Sequence, residues 1–281
     1  MYYNIIDLYK KPFPVSLMSL KIVSFDVGLR NLAMAILEMK LPSPGQPKQT
    51  KLLSTDTSKP VDGFQAPWRD CSLLHWELID ILKDNGNLAT NALKVTIADY
   101  VPLVHATLRK RLPLFAGADA ILIESQPNIG KEKIQNVAIL MYAFLKQHFW
   151  VSMVSATAAT PPPIVTFVSA RLKLRVLVDP RNFYQVLKPK AAVDDPSRDE
   201  AAPFVKEAKP KPKKGSATRR LQYQKNKKDI LPLADAILSE ISIACGSHVL
   251  AAYRKAKKKD DLADALLQGI SYLQKCPPSR K

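Results

Sequence analysis

Two apolar segments separated by a short turn constrain the fold of this chain most strongly. Residues 21–27 and 31–39 are rich in Ile, Val, Leu, Ala and Met, and only Gly28-Leu29-Arg30 separates them. This pattern predicts two adjacent β-strands joined by a tight turn. A further apolar run at 72–79 predicts a third strand before any helical pattern begins. Three successive strands are not typical of a plain doubly wound βαβ repeat.

The rest of the chain alternates helices and strands. Apolar residues near helical spacing predict helices over 91–111 and 131–150. Short apolar runs predict strands at 118–125 and 164–168, and an amphipathic pattern that opens with acids predicts a last helix at 260–273. We therefore expect an α/β protein with a mixed five-stranded sheet flanked by helices.

The chain has 281 residues, of which 47% are hydrophobic, and this is enough for one large core. We expect a domain over 20–274, an N-terminal extension over 1–19 and a C-terminal tail over 275–281. Two polar segments, at about 41–70 and 179–218, are predicted insertions in that domain because they are poor in apolar residues.

The charge of the chain favours a polyanionic partner. The net charge is +17, and residues 206–281 hold 18 basic against 7 acidic side chains, so +11 of it lies in the last quarter. Such an excess attracts nucleic acid or an anionic membrane face, and the alternative is a solvated lysine-rich surface.

Cysteine usage and hydropathy indicate in which cellular compartment the protein is expected. Cys71, Cys245 and Cys276 form no CxxC pair, which predicts an intracellular reducing compartment without a cysteine-based zinc site. No apolar run approaches the ~20 residues of a membrane span, so we expect no membrane partner. The first 20 residues lack a secretion pattern, and Asp7 without any arginine argues against a mitochondrial presequence.

Four acids stand where metal chemistry would place them. Asp26 ends the first predicted strand, Glu124 ends the fourth, and Asp261 and Asp264 share one face at the start of the last helix. Turn capping, a rim position and helix N-capping are the simpler explanations of each residue taken alone. Carboxylates that converge require a cation, and hard oxygen ligands suit Mg²⁺ or Mn²⁺. Two such ions roughly 3.5–4 Å apart, with Asp26 bridging them, can hydrolyse a phosphodiester.

A phosphate-binding loop is the competing interpretation of the first turn. The stretch DVGLRN fits the Asp-x-Gly-x-x-Asn pattern of the actin, Hsp70 and sugar-kinase superfamily. Those folds need a second Asp-x-Gly hairpin after a later strand, and the chain has only nine glycines and no such hairpin. We therefore expect no nucleotide cofactor.

Three blocks in this order resemble the RuvC-like Holliday junction resolvases: IVSFDVGLRNLAMAIL, AILIESQPN followed by an apolar helix containing Gln135, and KKDDLADALLQGI. The poxvirus and large-DNA-virus branch is the most similar, with the fungal mitochondrial resolvases next. The resemblance implies a ribonuclease H-like fold, a homodimer and paired two-metal nicks in four-way DNA junctions that leave 5′-phosphate and 3′-hydroxyl ends. It also implies that the metal ligands are Asp26, Glu124, Asp261 and Asp264, with Asp260 the open alternative to Asp261. If the chain is viral, the host cytoplasm or nucleus is expected rather than the mitochondrion.

Basic and polar residues near these blocks are the predicted DNA contacts, and for each one alone a solvated surface residue is the alternative. Tyr223 is placed to stack on an unpaired base. The candidates are Arg30, Gln126, Lys131, Arg219, Arg220, Tyr223, Lys227, Lys228 and Lys258.

Three questions stay open at this point. The substrate could be an RNA–DNA hybrid or a flap instead of a junction, and the chain could bind DNA without cutting it. The apolar helix at 131–150 could form the dimer interface or lie buried under the sheet.

Overall fold

The computed structural model describes residues 19–41, 70–86, 92, 94–125, 132–155, 161–170, 173, 230–244 and 246–275. The predicted extension at 1–19 and the insertions at about 41–70 and 179–218 fall almost entirely outside these ranges. No helix of the described part is long and apolar enough to cross a membrane.

The described strands form one mixed sheet. The strands are β1 (Ser19–Val27), β2 (Asn31–Lys40), β3 (Cys71–Asp80), β4 (Ala120–Ser125), β5 (Ile164–Ser169) and β6 (Ser242–Ile243). The order across the sheet is β5-β4-β1-β2-β3-β6. Strand β2 runs antiparallel to β1 and β3, whereas β4 is parallel to both β1 and β5. This is a mixed α/β sheet, as expected from the sequence.

All five predicted strands are confirmed, and the expected strand number needs one correction. The described sheet has six strands, because Ser242–Ile243 pairs in parallel with β3 at the edge of the sheet. A strand of two residues is too short to produce any periodic signal in the sequence.

Six helices pack on this sheet in the described part of the chain. They are α1 (Ile81–Asp84), α2 (Ile97–Arg111), α3 (Glu132–Ser155), α4 (residues 230–238), α5 (Ser247–Lys255) and α6 (Lys259–Lys275). Helix α2 begins six residues later than the predicted position 91, because Thr96 caps it. The Thr96 hydroxyl accepts from the Asp99 backbone N–H while the Asp99 carboxylate accepts from the Thr96 N–H, which satisfies two donors at the helix start.

The helices cover both faces of the sheet with separate cores. One core joins α4, α5 and α6 to Ile22, Ala35 and Leu37. The other joins α2 and α3 to Val23 and Phe25, with alternate residues of β1 pointing to opposite faces. The sheet is therefore buried between two helical layers, and α6 packs across its central strands β1 and β2.

Candidate active site

Asp26 and Glu124 stand next to each other at the end of two parallel strands. The pairing of β1 with β4 places Phe25 opposite Ile123, so the two acids are the next residues along each strand. Neighbouring strands lie about 4.8 Å apart, and residues in register on parallel strands point to the same face. Asp26 is half-buried and Glu124 is buried, on the face that α6 covers.

Helix α6 brings two further acids to this corner of the sheet. Asp261 and Asp264 are half-buried in its first turns, between the buried residues Leu262, Ala263 and Ala265. The electrostatic environment of Asp264 includes both Asp26 and Asp261. Acids from β1 and from α6 are therefore close enough to repel one another.

Two contacts fix α6 beside β1. The Gln268 side-chain amide donates from Nε2 to Ser24 Oγ at 3.0 Å and to the Phe25 carbonyl at 3.2 Å. At Gly269 a Cβ would lie 2.5 Å from Leu37 Cδ1 and 3.3 Å from Ser24 Cβ, so a larger residue would have to displace the buried Leu37 side chain. Gln268 lies one helical turn after Asp264, and its contacts hold that acid near the end of β1.

The first turn of α6 has its own anchor on β3. Trp76 Nε1 donates to the Leu262 carbonyl at 3.0 Å, and the Trp76 ring stacks on Tyr253 of α5 with the ring centroids 4.5 Å apart. Because Leu262 follows Asp261 directly, this bond fixes the backbone beside that acid.

A lysine that the sequence patterns did not single out lies at the centre of the acids. Lys173 Nζ is 3.5 Å from Glu124 Oε2 and also donates to Asp264 Oδ2, and its side chain is 11% exposed. Burial opposes its charge, but the carboxylates of Glu124, Asp264 and Asp26 outweigh burial and raise the pKa of Lys173 above its ordinary value. Lys173 follows β5 in the stretch ARLKLRV, where basic and apolar residues alternate, and no motif distinguishes it from the arginines on either side.

The site carries more negative charge than Lys173 neutralises. The pKa of the Asp264 carboxyl is raised to about 6: burial is the largest cause, Asp26 and Asp261 also raise it, and Lys173 opposes them. An ion-pair partner alone would depress this pKa, so the increase reflects burial together with the neighbouring acids. Another cation would be favoured at this position on electrostatic grounds.

The acids of this site carry oxygen atoms of the kind that hard divalent cations prefer as ligands. Asp264 Oδ1 is buried and has no hydrogen-bond partner, and its electrostatic environment contains Lys173 and the carboxylates of Asp26 and Asp261. Within the described ranges, however, no three His, Cys, Asp or Glu residues are grouped so that they could hold a metal ion. Lys173 contacts Glu124 and Asp264 at the same time.

Comparisons with known proteins give similarities of structure. No protein-family model matches the chain, and no curated protein matches it in sequence. The yeast mitochondrial Holliday junction resolvase Ydc2 is similar with a TM-score of 0.48 and 15% identity, over 93% of this chain and 82% of that one. The fowlpox virus resolvase in complex with Holliday junction DNA has a TM-score of 0.40 and 15% identity, over 91% and 97%. T. thermophilus RuvC with its junction substrate has a TM-score of 0.39 and 11% identity, over 90% and 91%.

Two of the predicted DNA contacts lie in the described part of the chain. Arg30 Nε is 2.7 Å from Asp80 Oδ2, so it links the β1–β2 turn to the end of β3. Lys258 is exposed in the turn before α6. The others fall outside the described residues: Gln126, Lys131, Arg219, Arg220, Tyr223, Lys227 and Lys228.

Lys258 belongs to a basic group at the start of α6. Arg254 and Lys255 end α5, Lys257 precedes Lys258 in the turn, and these four side chains are exposed. The group lies within a few residues of Asp261 along the chain. An exposed cationic segment thus directly precedes, along the chain, the helix that carries Asp261 and Asp264.

Proposed function

We propose that this protein is a structure-selective DNA endonuclease that resolves four-way junctions by two-metal-ion hydrolysis of phosphodiester bonds. The observation that carries the proposal is that one buried ammonium, that of Lys173, contacts acids from β4 and α6 and also has Asp26 of β1 in its electrostatic environment. A solvated or capping role explains each acid separately but does not explain why they meet.

The divalent ions would be Mg²⁺, with Mn²⁺ as the alternative. They would be held by the carboxylates of Asp26, Glu124, Asp261 and Asp264. Bound ions of this kind activate a water molecule and stabilise the leaving oxygen. The carboxylates of the chain fix the position of the site, and Asp26 is central because it adjoins Glu124 across the sheet and interacts with Asp264. The water oxygen would bond to phosphorus and lose a proton, the bond from phosphorus to the 3′ oxygen would break, and that oxygen would take up a proton, which leaves 5′-phosphate and 3′-hydroxyl ends.

DNA recognition in this proposal is mainly of shape and backbone. The exposed residues Arg254, Lys255, Lys257 and Lys258 supply phosphate contacts that position the substrate without reading its sequence. We expect their contribution to the affinity for DNA to fall steeply as the salt concentration rises, because each phosphate contact releases condensed counterions.

A homodimer would supply the second active site that paired nicks require. Helix α3 supports this proposal because the large apolar side chains of Ile139 and Trp150 are exposed on the side opposite to Val137, Met141 and Leu145, which are buried in the core. Trp150 is 65% exposed, and such large apolar side chains are enriched at protein interfaces. Light scattering of Ile139→Lys/Trp150→Lys should give a monomer where the wild type gives a dimer. A wild-type monomer at micromolar concentration would contradict this part of the proposal.

The function is tested by cleavage of a labelled synthetic four-way junction in Mg²⁺, with plain duplex and an RNA–DNA hybrid of equal length as parallel substrates. The wild type should nick the junction on opposite strands, and Asp26→Asn should bind it without cutting. Preferential cleavage of the hybrid would indicate a ribonuclease H instead. Binding without cleavage in both Mg²⁺ and Mn²⁺ would indicate a non-catalytic DNA-binding protein.

A further inference from the structure

The buried ammonium of Lys173 is the feature of the site that the proposed function leaves unexplained. Its Nζ contacts Glu124 Oε2 at 3.5 Å and Asp264 Oδ2, and Asp26 is part of its electrostatic environment. These are three of the four acids proposed as metal ligands. The ammonium therefore lies among the oxygen atoms to which a divalent ion would bind.

Water screens the charges of Lys173 and its acidic partners only weakly, because these side chains are largely buried. The side chains of Lys173, Glu124 and Asp264 are 11%, 5% and 17% exposed. Charges in such a place interact strongly because water screens them poorly. Without Lys173, the buried carboxylates would be left with uncompensated repulsion.

Two cations cannot share the same carboxylate oxygens without strong mutual repulsion. The ammonium of lysine is a compact point charge on a flexible stem of four carbons, so it can leave the site when the stem rotates. A guanidinium, with its planar and rigid group of donors, would be harder to move out.

We propose that Lys173 is an internal counter-ion: its ammonium occupies the acidic site in the metal-free protein, and binding of a divalent ion displaces it. This inference rests on the proposed function only in requiring that the acids bind a divalent ion. It has two consequences. The metal-free fold is stabilised by Lys173, and metal affinity is lower than the same acids would have without it.

Metal binding to the folded protein tests the competition directly. Isothermal titration with Mg²⁺ and with Mn²⁺ is compared for the wild type, Lys173→Met and the control Lys83→Met. The control removes an exposed lysine of α1, a helix that packs on the face of the sheet opposite to α6. Lys173→Met should bind the ions about tenfold more tightly or better, since a like charge is removed from the site. Lys83→Met should match the wild type. Thermal unfolding should show a lower metal-free Tm for Lys173→Met and a larger increase on addition of Mg²⁺.

Amine labelling of the wild type provides a test that does not depend on the folding of a variant. An acylating reagent is applied with and without MgCl₂ at constant ionic strength, and modification of Lys173 and Lys83 is quantified by mass spectrometry. Labelling of Lys173 should increase several-fold with Mg²⁺, while labelling of Lys83 should not change.

The outcomes separate this inference from the proposed function. If the wild type binds the ions and Lys173→Met binds them equally or less tightly, or if Mg²⁺ leaves Lys173 protected, Lys173 and the metal coexist and the inference is wrong while the function stands. If no variant binds either ion, both the inference and the two-metal function are wrong.

Discussion

Replacement of Gln268 by methionine tests how α6 is held against the central strand. The Gln268 side chain is fully buried and donates from Nε2 to Ser24 Oγ and to the Phe25 carbonyl. Methionine has a similar length and no amide, so the substitution removes two hydrogen bonds with little change in volume.

The expected loss follows from these two bonds. A hydrogen bond contributes about 1 kcal/mol net, and buried oxygens that lose their donor cost about 1–3 kcal/mol. We therefore expect the free energy of unfolding of Gln268→Met to fall by about 2–4 kcal/mol. Urea unfolding followed by circular dichroism measures the loss. Lys83→Met, on the exposed side of α1, is the control and should change stability by less than about 0.5 kcal/mol.

A double variant with Ser24→Ala sharpens this test. Ser24→Ala removes the hydroxyl that accepts one of the two hydrogen bonds from Gln268. The loss in the free energy of unfolding of the double variant should therefore be smaller than the sum of the two single losses. At a temperature where Gln268→Met is folded, we also expect junction cleavage to fall about ten- to a hundredfold, since displacement of α6 moves Asp264 relative to Asp26. A stability loss below about 1 kcal/mol together with additive behaviour would refute this account of how α6 is positioned.

Three further predictions concern the packing of the fold. The buried guanidinium of Arg111 in α2 lies 2.7 Å from Glu77 Oε1 and 3.1 Å from Asp84 Oδ2. Urea unfolding should show that Arg111→Met lowers the free energy of unfolding by about 2–4 kcal/mol. We expect the lower end of this range because Glu77 is one third exposed. Although burial raises it, hydrogen bonds from His75 and Arg111 lower the pKa of Glu77 from 4.5 to about 2, so its contribution is present above pH 4.5 and should be lost as the pH falls towards 2; an acid unfolding profile identical to that of Glu77→Gln would contradict this. Gly269→Ala should destabilise by about 1–3 kcal/mol despite the better helix propensity of alanine, because the added Cβ meets the buried Leu37 side chain, and a stabilised variant would show that the interface can adjust.

The sequence predicted the sheet well because its strands are short apolar runs bounded by turn residues or acids. Asp26 and Glu124 could be placed at strand ends for the same reason. Their adjacency could not be obtained from either strand alone, since it follows from the parallel pairing of β1 with β4 across about a hundred residues.

Other features of the site have no local signal. Lys173 is one lysine among 42 Lys and Arg residues, and only tertiary packing distinguishes it. Gln268 lies on an amphipathic helix where a buried amide is unusual, and its role depends on Ser24 and Phe25, more than two hundred residues earlier. The start positions of helices were less predictable than the positions of the strands, since the start of α2 depends on the reciprocal cap formed by Thr96 and Asp99.

The central claim, that this acidic site resolves junctions by paired nicks, is tested most directly with a supercoiled plasmid that extrudes a cruciform. A single nick relaxes the plasmid and removes the cruciform, so only two nicks made within the lifetime of one complex give linear DNA. We predict that the wild type converts the plasmid directly to the linear form in Mg²⁺, and that Glu124→Gln retains binding but produces no linear DNA. Nicked circles as the only product, or linear DNA formed equally by Glu124→Gln, would contradict the account.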